Sequence, residues 1–174
     1  MNRISTLKLV AISLVAAGCS SSPTKSIPAG QYFVSGIYQG GPAITEPRPV
    51  QSNLMAVTKG GFQVSDGKAA YVLRVTLSPD LPEQFFARAT FENPQEFSEP
   101  FVEEGEFLER PSILTPAHGP VSGLAMFKDY RITVELFAKR GDRAPLDTLT
   151  QTLRSYVDTQ GDEPLVYTDL TQGK

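Results

Sequence analysis

One cysteine, Cys19, is all the thiol chemistry in the 174 residues, and His118 is the only imidazole. Each scarcity excludes a class of protein. A zinc centre draws on several nitrogen or sulfur ligands, and this chain cannot supply them. A lone cysteine closes no intrachain disulfide, so the fold rests on apolar packing even in an oxidising compartment. A histidine acting as general base wants an oriented nucleophile or a carboxylate beside it. The stretch Thr115-Pro116-Ala117-His118-Gly119-Pro120 offers neither at a recognisable spacing. No phosphate-cradling glycine loop, paired-cysteine cluster or nucleophile elbow occurs, and Gly40-Gly41-Pro42 and Gly60-Gly61 read as turn glycines. These absences point away from an enzyme and from any metal or cofactor.

Long apolar runs are scarce as well. The only one is Leu9–Ala17, broken by Ser13 and preceded by Arg3 and Lys8. It is too short to span a bilayer, which takes about 20 apolar residues. A basic start, an apolar middle and the small residues Ala16, Ala17 and Gly18 have instead the form of an export signal. With Cys19 directly after Gly18, the stretch Leu14-Val15-Ala16-Ala17-Gly18-Cys19 resembles the lipobox of bacterial lipoproteins, although leucine is more usual where Ala16 stands. The resemblance covers only about the first 22 residues. It implies that a signal helix, residues 1–18, is removed and that Cys19 is acylated, which makes the lipid bilayer the first partner. Each buried methylene of an acyl chain contributes about 0.8 kcal/mol, so two or three chains hold firmly where one does not. Ser20, rather than an aspartate, follows the cysteine. In Gram-negative lipoproteins this implies the outer membrane, facing the periplasm.

Without residues 1–18, 156 residues remain, enough for one domain with a core. The signal takes two of the 16 basic residues and none of the 19 acidic ones, leaving a net charge of −5. An acidic surface argues against nucleic acid and anionic headgroups as partners. Residues 19–31 are rich in serine and proline without apolar period, and they read as a flexible tether.

From Tyr32 onward the pattern is that of strands, with the domain expected over 32–174 and a loosely ordered C-terminal tail. Tyr71, Leu73, Val75 and Leu77 alternate with Val72, Arg74 and Thr76; Phe85, Ala87, Ala89 and Phe91 with Phe86, Arg88 and Thr90; and Tyr130, Ile132, Val134, Leu136 and Ala138 with Arg131, Thr133, Glu135, Phe137 and Lys139. Period-two alternation of β-branched and aromatic residues marks half-buried strands. Lys59-Gly60-Gly61 and Ser65-Asp66-Gly67 suggest tight turns, Ser78–Pro82 closes a strand, and Lys139–Pro145 reads as a hairpin loop. Segment 146–157 has leucines at helical spacing, yet Thr148, Thr150 and Thr152 favour a strand. Fourteen prolines and fourteen glycines discourage long helices. The expected fold is all-β: a single β-sandwich, immunoglobulin-like or fibronectin III-like, with a small barrel as runner-up.

Three candidate surfaces remain. Segment 91–111 carries seven glutamates interleaved with Phe97, Phe101 and Phe107, and it holds no aspartate. Calcium takes oxygen ligands, but the spacing matches no EF-hand loop. The simpler reading docks the phenylalanines on the core with the glutamates in water, and any phenylalanine left exposed would be a partner-binding site. Arg74, Arg88 and Arg131 fall on the polar phase of their strands and would form a basic stripe if those strands shared a sheet, with Glu92 and Glu135 placed to neutralise it. Arg140-Gly141-Asp142 spells a tripeptide known from cell-adhesion ligands, but glycine and aspartate also serve a turn's own geometry. The functional expectation is a membrane-anchored envelope lipoprotein that meets an envelope protein, such as a component of a secretion, pilus or surface-assembly system. The alternative is a ligand- or carbohydrate-binding module.

Overall fold

The computed structural model describes residues 24–26, 31–37, 47–105, 107–110, 112–162 and 164–167. The signal segment 1–18, Cys19, Gly40–Pro42, Glu106, Pro111 and the tail from residue 168 lie outside the described residues. The described chain is all strand and loop, with no helix, and so none long and apolar enough to cross a membrane.

The strands are β1 (Thr24–Ser26), β2 (Gln31–Ser35), β3 (Met55–Ser65), β4 (Lys68–Leu77), β5 (Phe86–Phe91), β6 (Phe101–Gly105) and β7 (Leu108–Arg110). They continue as β8 (Ile113–Leu114), β9 (Ala117–Val121), β10 (Asp129–Phe137), β11 (Asp147–Arg154), β12 (Val157–Asp158) and β13 (Leu165–Tyr167). Every pairing is antiparallel. One sheet has the order β2-β3-β4-β8-β7, with β9 also on β4; a second has β11-β10-β5-β6; a small third has β1-β13-β12. The arrangement is consistent with a β-sandwich.

The alternation read from the sequence builds most of the core, but in β10 it holds only as far as Leu136: Phe137, expected outside, is buried, and Ala138, expected inside, is exposed. Tyr71, Leu73, Val75 and Leu77 of β4 are buried, as are Ala87, Ala89 and Phe91 of β5 and Tyr130, Ile132, Val134 and Leu136 of β10. Phe62, Tyr71, Phe91 and Tyr130 meet between the two larger sheets, with centroids 5.1 Å apart for Phe62–Tyr71, 5.6 Å for Tyr71–Phe91 and 6.3 Å for Tyr71–Tyr130. Such pairs add about 0.5–1.5 kcal/mol each beyond the area they bury. Within segment 146–157 the expected strand runs from Asp147 to Arg154: β11 turns Asp147, Leu149, Gln151 and Leu153 inward and its threonines outward.

Two further expectations change. Gly60-Gly61 is not a turn but the middle of β3. Glycine is needed there for close approach, because a Cβ on Gly61 would stand 2.1 Å from the Val34 carbonyl oxygen. Only Asp66-Gly67 turns the chain, with φ of 49° and 70°, the left-handed pair of a tight hairpin. The stretch 19–31 is also not structureless throughout: Thr24–Ser26 pairs with β13, and Gln31 opens β2.

The sheet edges are closed in two ways. At β11, the buried Gln151 amide takes the Val50 N–H on Oε1 (3.0 Å) and donates from Nε2 to the Arg48 carbonyl (2.9 Å) and to the Thr152 carbonyl (2.6 Å). Asp147 Oδ2 accepts from Ser52 Oγ (2.6 Å) and the Leu54 N–H (2.7 Å). These two inward polar residues fasten segment 48–54 along the strand. On the opposite flank β6 of the second sheet meets β9 of the first, where His118 bridges them.

Candidate functional site

His118 sits on β9 opposite Tyr71, and Glu103 sits on β6 opposite Ala89. Their side chains meet across the sheets, Nδ1 to Oε1, at 2.7 Å. The ring stacks on Phe101 with centroids 4.2 Å apart and planes 19° apart, and it also lies 5.7 Å from Phe91. An imidazole held by a carboxylate is the orienting half of a catalytic constellation. Here its described contacts are a carboxylate and two phenyl rings, and what they accomplish is to join two sheets.

The three phenylalanines of segment 91–111 part company. Phe101 belongs to the His118 stack, Phe107 packs against the core, and Phe97 is 54% exposed at the end of the sandwich near Lys128, whose Nζ stands 4.1 Å from its ring centroid. Three of the segment's glutamates meet basic side chains of the same chain: Glu92 with Arg131 (3.3 Å), Glu103 with His118 (2.7 Å), and Glu104 with Arg88 (2.9 Å) and Arg140 (3.6 Å).

The three arginines do not form one stripe. Arg74 lies on β4 in the first sheet, whereas Arg88 and Arg131 lie on β5 and β10 in the second. The Ser78–Phe85 connection carries the chain across between sheets, and this separates them. On the outer face of the second sheet, Arg88 is held by Glu104 and by Glu135 (3.9 Å), and its guanidinium covers the Phe137 ring at 5.0 Å. Arg131 pairs with Glu92, and Thr133 bonds Thr150 (3.0 Å) between the two ion pairs.

At the end of this face is an open cleft of about 440 Å³, lined by Glu83, Gln84, Phe85, Phe86, Leu108, Ala138, Lys139 and Arg140. The crossover loop before β5, the tip of the β10–β11 hairpin and the start of β7 converge there. Phe85 packs against the core as well as lining the cleft, while Phe86, on the opposite phase, lies under the Arg140 guanidinium, 5.6 Å from its ring centroid. Leu108 is 42% exposed at the mouth. The adjoining Asp142 is committed to its turn, since its Oδ2 accepts the Lys139 N–H (3.2 Å) and its own N–H donates to the Lys139 carbonyl (3.3 Å). An aromatic ring beneath Arg140, with Lys139 and Glu83 also in the lining, suits an occupant with apolar and polar groups. Sequence reasoning passed over this cleft. Its only signal was the doublet Phe85-Phe86, in which one ring must face out of an alternating strand.

The cleft and the chain's entry lie at opposite ends. β10 begins at Asp129, beside the loop that leads to β12 and β13, and ends at Phe137 beside Phe86. A nine-residue strand separates those ends by roughly 27 Å. Compared with protein-family models, curated proteins and solved structures, the chain matches none.

Proposed function

We propose that the chain is a lipid-anchored protein of the cell envelope that presents a small β-sandwich to a protein partner. The observation that carries the reading is the polarity of the domain: the cleft with Phe86, Leu108 and Arg140 opens at the end away from β1, the strand nearest Cys19. A binding surface raised from the membrane in this way meets other envelope components at high effective concentration, so modest affinity suffices. The lipobox-like segment and Ser20 support acylation of Cys19 and a place in the outer membrane facing the periplasm. The partner would belong to a secretion, pilus or surface-assembly system. In the immunoglobulin arrangement the second strand lies between the first and the fifth. Here β3 lies between β2 and β4, so the likeness that supports this reading is one of sandwich architecture rather than strand order.

The test is photo-cross-linking in cells from Gln84 and from Leu108, with Thr150 on the outer sheet face as control. One envelope protein should be captured from both cleft positions and lost on Phe86→Ala. Capture equal to that at Thr150 overturns the reading. Fractionation of wild type and Cys19→Ala tests the anchor, and a wild-type chain free in the periplasm refutes it. A second reading draws on the cleft's size, which falls in the range of small-ligand sites: a ligand- or carbohydrate-binding module, for which Phe86→Ala would abolish binding of a glycan without altering cross-links.

A further inference from the structure

We propose that the end of the sandwich bearing β1, β12 and β13 seats on the surface of a lipid bilayer, with Phe97, Phe127 and Leu165 as its apolar contacts. The inference rests on the reading of Cys19 as an acylated anchor, and it adds an orientation to it.

The first support is the length of the leash. Residues 20–23 alone separate Cys19 from Thr24, which is already paired to Tyr167 in the domain. That much chain extends no further than about 18 Å. Thr24, and with it the adjoining edge of the small sheet, is therefore held within that distance of the lipid headgroups.

Apolar exposure at this end is the second. Phe97 is 54% exposed, Phe127 53% and Leu165 38%, and shared neighbours link them. Phe127 meets Tyr167 edge-on at 5.0 Å and Tyr156 at 5.9 Å, Leu165 lies two residues before Tyr167 on β13, and Lys128 follows Phe127 and covers Phe97. Rings at the edge of an apolar cluster with a long ammonium side chain beside them are the chemistry of a headgroup boundary, where the ring enters and the ammonium stays in water.

Backbone strain is the third. Phe127 has φ of 63°, the left-handed region that a bulky residue occupies only when its surroundings impose it. Its N–H donates to the Ser155 carbonyl (2.6 Å), and the Ser155 N–H donates back to the Lys128 carbonyl (2.8 Å). A glycine or asparagine would turn this corner at lower cost. A phenylalanine there, with its ring half in water, fits a residue placed for a contact outside the domain. The net charge of −5 on the chain from Cys19 onward argues that the contact is apolar rather than an attraction to anionic lipid.

The experiment uses the full acylated protein in phosphatidylcholine vesicles whose acyl chains carry bromine, a quencher of indole emission. The chain contains no tryptophan, so Phe127→Trp, Phe97→Trp and Leu108→Trp each install a single reporter. The first two should lose at least about half their emission, as expected of a ring seated about 5–10 Å into the interface. Leu108→Trp, at the cleft end, should keep its emission. Should Phe127→Trp fail to fold, Phe97→Trp reports on the same surface. Acylated protein that floats with the vesicles but is quenched at neither position overturns the proposal, as does equal quenching at Leu108→Trp. Protein that carries no acyl mass and does not float fails the anchor reading instead, and the proposed seat falls with it.

Discussion

Replacing Gln151 by methionine tests how the open edge of the second sheet is closed. Gln151 is fully buried, and its amide makes three hydrogen bonds to the main chain, two of them to Arg48 and Val50, about a hundred residues away. Methionine fills nearly the same volume, so no cavity enters the balance. Each bond contributes about 1 kcal/mol net, and a main-chain group stranded in the interior costs somewhat more. Arg48 is exposed and Val50 half-buried, so water can reach both once the segment lifts away. This release caps the loss near 3 kcal/mol. With a slope of about 2 kcal/mol per molar urea for a domain of this size, the unfolding midpoint should fall by about 1.5 M. Amide exchange along β11 should rise at the same time, because the fastened segment is what covers that edge. A midpoint shift below about 0.5 M, or unchanged exchange on β11, refutes the argument that the glutamine stands in for a missing strand partner.

Gly61→Ala should cost about 1–3 kcal/mol, read by thermal unfolding, because its methyl would drive into the Val34 carbonyl and part β2 from β3. Burial pushes the Tyr71 phenol well above its ordinary range, with Tyr130 and Glu92 adding to the rise, and burial raises Tyr130 in the same direction. In both, the folded state holds its proton more tightly than the unfolded chain, so their contribution is complete below about pH 10 and is lost as pH climbs beyond it. Tyr71→Phe, which gives up the bond from the hydroxyl to the Glu92 carbonyl (3.0 Å), should be about 1 kcal/mol less stable at neutral pH and close that gap in alkali. An alkaline denaturation series reads this, and a gap that widens would contradict it. Glu103→Gln should lower stability by less than about 1 kcal/mol, since Glu103 is 42% exposed at its side chain and the Phe101–His118 stack survives the change.

The strands were legible where both phases of the alternation were uniform. β4, β5 and β10 set apolar side chains against polar ones with few exceptions, and one period decides their structure. β11 was ambiguous because two of its inward positions, Asp147 and Gln151, are polar. They are buried not by hydrophobicity but by partners in segment 48–54 that no local pattern announces. Gly60-Gly61 misled for a related reason: a glycine pair looks alike in a turn and in a strand that another strand crosses closely. The candidate surfaces were harder still. Whether Arg74 joins Arg88 depends on which sheet each strand enters, and the Ser78–Phe85 crossover decides that through tertiary packing. Phe97, Phe101 and Phe107 share one composition-defined segment, yet a few residues' difference sends them to the surface, to the imidazole and to the core.

The two ends of the domain have unequal demands, and this bears on how the protein would work. A leash alone leaves a domain free to tumble, so a distal cleft would point toward a partner only part of the time. An end seated through Phe97, Phe127 and Leu165 removes most of that rotation before any partner arrives, and the ordering cost is then met by the bilayer rather than by the complex. The cleft would stand roughly 27 Å above the seat along β10. A partner fixed in the same membrane would have to present an apolar and polar segment at about that height. A freely diffusing one would gain only the orientation, so a shared membrane is where the arrangement has most effect.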